Sequence, residues 1–429
     1  MSENLITSYK EEAEDFPLSE VPDANRKGFW SLSTVLLGFT FFSATMWAGG
    51  SLGLSFKFFP DLIFLIVAGN ILLGVYVAIL SFIAFKSGLN TVLLSRYSLG
   101  EHGSKFSDIL LGLTQVCWYA WGTATIAIVL AKLFNLDSSY NIIFMIFFGG
   151  LFCITAFIGY NGLKMLSYIA VPLMFVLIII SIIVSFKSAG KLGGILNIIP
   201  DKSMDYGMGL TLVFGTFVSG GTQSTNWTRF AASSKSAVFS SLLAFFIGNG
   251  LMIFIGAVGA LVYNEAEISE VLKLQGLLSF GIIMLFFNIW TTQDNTIYNF
   301  SVAGCNFFRS TKRKIITLIG ALIGTVLAIA GMYDWLVPYL LLLGTFIPPL
   351  GGIIMADFYV KYKSVYPKLE KNIKIKYNYI GIASYIIGSA AAYFLGFIPP
   401  ITGIIVSFLV YSLLNYARIQ YFNYPKSAI

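Results

Sequence analysis

Apolar runs of about 20 residues recur along almost the whole chain, and each is long enough to cross the hydrocarbon core of a bilayer as a helix. Strands of a membrane barrel would alternate apolar and polar residues over about ten positions, whereas residues 171–183 form an unbroken apolar stretch. The pattern predicts an all-α integral membrane protein with twelve transmembrane helices. These predicted helices, numbered 1 to 12 in chain order, cover residues 30–54, 61–86, 106–133, 141–160, 164–187, 207–231, 237–262, 273–300, 312–331, 333–359, 377–397 and 399–421.

Predicted helices 1 and 6 carry nearly the same pentad, TFFSA at residues 40–44 and TFVSG at residues 216–220, and glycines flank both copies. Glycine allows the backbone to leave helical geometry, which is tolerated in a membrane only where the freed groups line a cavity. A matched pair of interrupted helices, one in each half, indicates the central binding site of a transporter. If the two helices correspond, helices 1–5 and 6–10 form a 5+5 inverted repeat, and helices 11 and 12 are peripheral.

This symmetry divides the chain into segments rather than into separately folded domains. Residues 1–27 are polar, lack the basic and then apolar order of a signal peptide, and predict a short, poorly ordered cytoplasmic tail. The remaining segments are the first repeat at 28–190, the second repeat at 191–360, a basic cytoplasmic loop at 361–376, and helices 11 and 12 with the C-terminal tail at 377–429.

Composition and charge support this topology. The chain is 57% hydrophobic and 11% charged, whereas soluble proteins are about 25% charged. Most of the 27 Lys and Arg fall in the termini and the even-numbered loops, so the positive-inside rule places both termini on the cytoplasmic side of the inner (plasma) membrane. Lys187, Lys191 and Lys202 are exceptions, because they lie in a loop that this topology places outside. The net charge of +7 thus reflects topology and predicts no nucleic-acid partner. We expect the lipid bilayer and a small-molecule substrate as partners, and no obligatory protein partner.

The chain lacks the side-chain patterns of two other classes of membrane protein. Its three cysteines are isolated along the chain, so they form neither a disulfide framework nor a metal-ligand spacing. No Ser/His or Cys/His pair falls inside the bilayer, which disfavours a membrane-embedded enzyme. An ion channel would show a filter-like repeat or a ring of charged side chains, and neither appears.

Predicted helix 8 carries a dense polar run inside an apolar span. Asn288, Thr291, Thr292 and Asn295 follow helical spacing and share one face. Hydroxyl and carboxamide oxygens on a face without carboxylates favour a monovalent cation over Ca²⁺, although such residues also serve as interhelical hydrogen-bond donors and acceptors. Asp294 lies off this face, and three roles remain open for it: proton coupling, pairing with Arg229, or exposure at the aqueous end of the helix.

Predicted helix 3 places Gln115 and Trp118 one turn apart on one face. An indole can stack on a planar heteroaromatic ligand, and a carboxamide can pair with the ligand's donor and acceptor edge. Most tryptophans in such a chain are packing residues, which is the competing interpretation. Because no cluster of charged residues accompanies these positions, the sequence favours a small, neutral, planar and polar solute.

Several motifs together resemble the nucleobase:cation symporter-1 family. They are FFSATMWAGG at 41–50, TQVCW at 114–118, Arg229-Phe230, NIWTT at 288–292, IPPLGG at 347–352 and Ala356-Asp357. The resemblance covers residues 28–362 and continues more weakly to the end. It implies a leucine-transporter-like fold, alternating access, and sodium-coupled import of cytosine, with no organic cofactor.

The resemblance also implies which residues bind each ligand. Trp118 and Phe217 would sandwich the base, and its edge would be addressed by Gln115, Thr216, Ser219 and Asn288. The sodium ion would lie between helices 1 and 8, held by carbonyl groups near Gly38 and Phe41 and by Thr291 and Thr292, with Asn288 nearby.

Three positions depart from the pattern expected of the family, namely Thr216, Asn226 and Gln293. The departures leave room for another nucleobase or for a hydroxymethylpyrimidine-type thiamine precursor. Coupling to protons through Asp294 is the alternative to coupling to sodium.

Overall fold

The computed structural model of the chain describes residues 15–369 and 375–421, with side chains up to residue 418. Within these residues the secondary structure is helical, and Lys27 and Ala231 form one isolated β-bridge. The parts of the predicted N-terminal tail, basic loop and C-terminal tail at residues 1–14, 370–374 and 422–429 lie outside the described residues. The all-α prediction is confirmed for the described part of the chain.

The helices of the first half are numbered as their predicted counterparts. They are α1a (Phe29–Thr40), α1b (Ser43–Gly53), α2 (Phe58–Ser87), α3 (Ser104–Leu133), α4 (Tyr140–Ile158) and α5 (Tyr160–Ser188). A short helix at Thr91–Leu99 lies between α2 and α3, and another at Lys191–Leu196 follows α5.

The second half begins with α6, which is divided into three pieces. The three pieces are α6a (Tyr206–Gly215), α6b (Val218–Thr222) and α6c (Thr225–Thr228). The helices that follow are α7 (Ser234–Tyr263), α8 (Leu278–Phe308), α9 (Arg313–Ile329), α10 (Met332–Lys361), α11 (Tyr379–Phe394) and α12 (Pro399–Tyr421). A short helix at Ile268–Leu274 precedes α8, so α8 begins and ends later than predicted.

Helices therefore occupy all twelve predicted ranges, but length and hydropathy support fewer membrane spans. Seven described helices are long and apolar enough to cross a membrane, or eight if the bent pair α1a and α1b forms one span. The polar residues of α8 lower its hydropathy, and α9 has only 17 residues. The count of twelve spans and the inverted repeat stay predictions.

The first pentad coincides with a break in helix 1. The backbone leaves helical geometry at Phe41 (φ −77°, ψ 84°) and Phe42 (φ −130°, ψ 135°), and α1a and α1b are bent by 55° relative to each other. The break removes the intrahelical hydrogen-bond partners of the last carbonyl groups of α1a. The predicted interruption of helix 1 is thus present in the structure.

The second pentad coincides with a break in helix 6. Helix α6a ends at Gly215, and Phe217 (φ −131°, ψ 14°) precedes the short α6b. A Cβ added to Gly220 would lie 2.6 Å from the ring of Phe39 in α1a. The lack of a side chain at Gly220 therefore allows the two broken helices to touch at their interruptions.

Helix α7 packs along α1b and also reaches both breaks. A π-helical turn at Leu243–Gly248 interrupts α7, and such turns occur often at functional sites. A Cβ on Gly248 would lie 2.7 Å from the Thr40 hydroxyl oxygen. The next residue, Asn249, contacts Thr216 at the break of helix 6.

Residues 15–28, called the N-terminal strap, are packed against the helix ends, so the prediction of a poorly ordered tail is wrong for residues 15–27. The strap is anchored by the fully buried guanidinium group of Arg229, which donates hydrogen bonds to the main-chain oxygens of Asp15 and Phe16, each at 2.7 Å. The Asp15 carboxylate accepts a hydrogen bond from the Tyr160 backbone N–H at 2.9 Å.

The strap also pairs with the backbone at two further positions. The Val21 N–H donates to the Gly88 carbonyl oxygen at 3.0 Å. Lys27 accepts a hydrogen bond from the Ala232 N–H at 2.9 Å and donates one to the Phe230 carbonyl oxygen. The strap thereby connects α2, α5 and α6c on one face of the molecule.

Candidate substrate and cation site

Two side chains of α3 meet the break of helix 6 at one oxygen atom. The Gln115 Nε2 and the Trp118 Nε1 both donate to the Ser219 Oγ, at 3.4 and 3.2 Å. Ser219 reaches this position because the break at Phe217 starts the new helical piece α6b. The structure therefore brings together three predicted substrate residues that are far apart in the sequence.

Aromatic rings surround this polar group. Phe42, at the break of helix 1, lies edge-on to Trp118 with ring centroids 5.5 Å apart and to Phe217 at 6.4 Å. Phe39 packs against Phe217 at 5.1 Å, and Tyr339 of α10 packs against Trp118 at 5.2 Å. The predicted stacking faces, Trp118 and Phe217, are thus both in contact with Phe42, which sequence reasoning did not single out.

The site is closed to solvent. The six predicted substrate residues, Gln115, Trp118, Thr216, Phe217, Ser219 and Asn288, are each 0% to 4% exposed. Two buried acceptor-capable atoms have no hydrogen-bond partner among the described residues: the Gln115 Oε1 and the Oγ of Ser43, which follows Phe42 in the chain. A buried polar atom without a partner costs about 1–3 kcal/mol, so these atoms favour a polar ligand.

Thr216 is directed away from the Ser219 group. Its hydroxyl donates to the Val213 carbonyl oxygen at 2.7 Å and accepts from the Asn249 Nδ2 at 3.0 Å. The same Asn249 nitrogen donates to the Asn70 Oδ1 at 2.8 Å. This fully buried network joins α2, α6a and α7. A lone asparagine in each of two apolar helices was the only sequence signal for it.

The predicted cation residues connect α8 to the end of α1a. The Thr292 hydroxyl donates to the Phe39 carbonyl oxygen at 3.2 Å, and both Thr291 and Thr292 also contact the Asn288 carbonyl oxygen, at 3.1 and 3.2 Å. The Asn288 Oδ1 is buried and lacks a hydrogen-bond partner in the described part of the chain. Neutral hydroxyl, amide and freed main-chain oxygens converge here, which fits a hard monovalent cation.

Asp294 lies within the core of α8. It is fully buried, and its carboxylate accepts hydrogen bonds from the Thr155 Oγ1 at 2.9 Å and the Asn295 Nδ2 at 3.0 Å. Arg229 instead binds the N-terminal strap. Two of the three roles left open by the sequence, pairing with Arg229 and exposure at an aqueous helix end, are therefore wrong.

Comparison with known proteins places the chain in a family. Residues 20–424 match the family described as a permease for cytosine/purines, uracil, thiamine and allantoin. The chain belongs to this permease family. It is 38% identical over 403 residues to the cytosine permease of Escherichia coli (strain K12), covering 94% of each protein, and equally similar to the cytosine permease of Escherichia coli O157:H7.

Solved structures show the same fold at low sequence identity. One match is Mhp1, a nucleobase-cation-symport-1 family transporter, in a closed conformation with bromovinylhydantoin bound. Its TM-score is 0.80 at 16% sequence identity, and the match covers 96% of this chain and 97% of that one. A Na⁺-coupled sialic acid symporter in a substrate-bound outward-open state matches with a TM-score of 0.65 at 12% identity, covering 91% and 90%. The family resemblance and the leucine-transporter-like fold inferred from the sequence are confirmed. The chain is a multi-pass membrane protein, and the relatives that it matches are permeases.

Proposed function

We propose that this permease imports cytosine together with sodium by alternating access. The observation that carries the proposal is the convergence of Gln115 and Trp118 on Ser219, within a cage of aromatic rings at the breaks of helices 1 and 6. Cytosine is preferred among planar bases because relatives that share 38% of their residues with this chain are cytosine permeases.

Each side chain has a defined task in this proposal. Trp118 and Phe217 supply apolar faces for stacking, which is open to any base, so the edge contacts must provide selectivity. Gln115 offers both an amide donor and an acceptor oxygen that has no hydrogen-bond partner among the described residues, and Ser219 offers a hydroxyl. A bound base would take over hydrogen bonds that Gln115 and Trp118 now direct to Ser219. Asn288, between the two sites, would contact the base edge or the cation.

Sodium would bind where α8 meets the broken end of α1a. Carbonyl groups near Gly38 and Phe41, the Asn288 residue and the hydroxyl groups of Thr291 and Thr292 would supply its ligands. A cation held there favours one arrangement of α1 against α8, and a substrate that binds the same arrangement is bound more tightly. By linkage, each ligand raises the affinity for the other to the same extent.

The orientation in the membrane is part of the proposal. The excess of Lys and Arg in the termini and even-numbered loops puts both termini, and with them the N-terminal strap, in the cytoplasm of a cell with the permease in its inner membrane. Import then requires that the strap-bearing face opens after the opposite face has closed.

Proton coupling is the second candidate, because a fully buried carboxylate, Asp294, lies next to the polar face of α8. Another nucleobase or a hydroxymethylpyrimidine is the alternative substrate, since a single edge contact discriminates among such ligands.

Uptake by purified permease in proteoliposomes tests the proposal. Labelled cytosine should accumulate against its gradient when sodium is supplied outside, and choline in place of sodium should abolish accumulation. A proton gradient without sodium should give no accumulation in the wild type or in Asp294→Asn. Accumulation driven by protons alone would overturn sodium coupling, and stronger competition by uracil, adenine or hydroxymethylpyrimidine than by cytosine would overturn the substrate.

A further inference from the structure

A serine of α5 lies against the place where the cation residues meet. A Cβ added to Gly38 would lie 2.4 Å from the Ser167 Oγ and 3.5 Å from the Thr291 Cβ. The Ser167 hydroxyl and the Thr291 side chain therefore approach one point at the end of α1a. Gly38 has to lack a side chain here because the Ser167 hydroxyl occupies the space that a side chain would fill.

The Ser167 hydroxyl is buried and makes no hydrogen bond to the described part of the protein. The residue is 0% exposed, and its Oγ has no hydrogen-bond partner among the residues that the structure describes. Hydroxyl groups in membrane helices commonly bond to a carbonyl oxygen one turn earlier, as the hydroxyl groups of Thr125 and Thr211 do at 2.8 and 2.7 Å. Ser167 does not, so its oxygen remains available to a ligand.

The surroundings of Ser167 specify the chemistry of that ligand. Within the same region the break of helix 1 frees main-chain carbonyl groups, and Thr291 and Thr292 present hydroxyl groups. The Asn288 Oδ1 also lacks a hydrogen-bond partner in the described part of the chain. These are neutral, hard oxygen atoms, which suit an alkali cation and not a transition metal.

We propose that Ser167 is a further ligand of the coupling cation, so that α5 joins α1 and α8 at the cation site. The assignment rests on the proposed sodium coupling and extends it to a third helix. A cation bound to all three helices fixes the position of α5 as well as the angle between α1a and α8. Binding of sodium would thus order a helix that carries none of the predicted substrate residues.

Sodium titration of the purified permease tests the assignment without measuring transport. The melting temperature is followed as NaCl replaces choline chloride at constant ionic strength. Ser167→Ala should raise the half-saturating sodium concentration about tenfold or more, while cytosine affinity at saturating sodium stays near that of the wild type. Ser167→Cys keeps the shape of the side chain but replaces a hard oxygen by a soft sulfur, so it should weaken sodium binding while melting in choline as the wild type does.

Ser33→Ala is the matched control. Ser33 is also buried, at 1% exposure, and its hydroxyl has no partner among the described residues, but it lies about 7.5 Å along the helix axis from Gly38. Its sodium titration should equal that of the wild type. A wild-type titration in Ser167→Ala or in Ser167→Cys would overturn the role of Ser167. If the melting temperature of the wild type does not change with sodium concentration, the proposed sodium coupling itself is overturned.

Discussion

Replacing Trp118 by alanine tests the substrate site most directly. The substitution removes the aromatic face that lies 5.5 Å from Phe42 and 5.2 Å from Tyr339, together with the N–H that reaches Ser219. Loss of one stacked aromatic residue costs about 1–3 kcal/mol per base, which corresponds to about 5- to 150-fold weaker binding. Trp118→Phe keeps a stacking face and loses only the N–H, for which about 0.5–1.5 kcal/mol, or about 2- to 12-fold, is expected.

Equilibrium binding of labelled cytosine to the purified permease at saturating sodium measures both variants. Trp30→Ala is the control, because this indole is 73% exposed and packs against Phe29, whereas the candidate site is closed to solvent. Its cytosine affinity should stay near the wild-type value. If Trp118→Ala binds cytosine as tightly as the wild type while its melting temperature is retained, the assignment of Trp118 as a stacking face is refuted.

Three further substitutions probe the remaining contacts. Gln115→Leu removes the amide edge, so cytosine should bind about tenfold more weakly or worse and compete less selectively against uracil; unchanged selectivity in a competition assay would contradict this role. Thr292→Val keeps the side-chain shape but loses the hydrogen bond to the Phe39 carbonyl oxygen, so half-saturation of uptake should require about tenfold more sodium. An unchanged dependence of uptake on sodium concentration would show that Thr292 does not bind the cation. Asn249→Leu deprives Asn70 of its donor and should destabilise the protein by about 1–3 kcal/mol, visible as a lower melting temperature; a melting temperature equal to the wild type's would exclude this role.

The features that could be predicted are those encoded by local pattern. Long apolar runs determine where helices form in a bilayer, so their positions could be read from the sequence. The breaks could be predicted because glycines accompany both pentads, and the interruptions fall at Phe41-Phe42 and at Thr216-Phe217. The pairing of Gln115 with Trp118 followed from helical spacing alone, and the structure aims both at Ser219.

The features that were missed depend on contacts between distant segments. Arg229 binds the strap through the main-chain oxygens of Asp15 and Phe16. Any residue would provide such oxygens, so the contact could not be predicted from the sequence of the strap. The direction of Thr216 towards α7 is set by Asn249 and by the π-helical turn before it. Ser167 is a single small polar residue in an apolar helix, and its importance appears only when Gly38 lies beside it.

Exchange of the hydrogen-bonded amides of the N-terminal strap can be used to follow the proposed transport cycle from outside the substrate site. The Val21 amide hydrogen is held by Gly88, and that of Lys27 by Phe230. Amide protons exchange with solvent deuterium only when such bonds open. In the proposed alternating-access cycle, opening of this face would either release these amides or carry the strap along with α6c. Deuterium uptake at these two positions, measured by mass spectrometry with and without sodium and cytosine, therefore distinguishes two cases. Either the strap detaches from the helix ends, or the strap and α6c move together as one rigid unit.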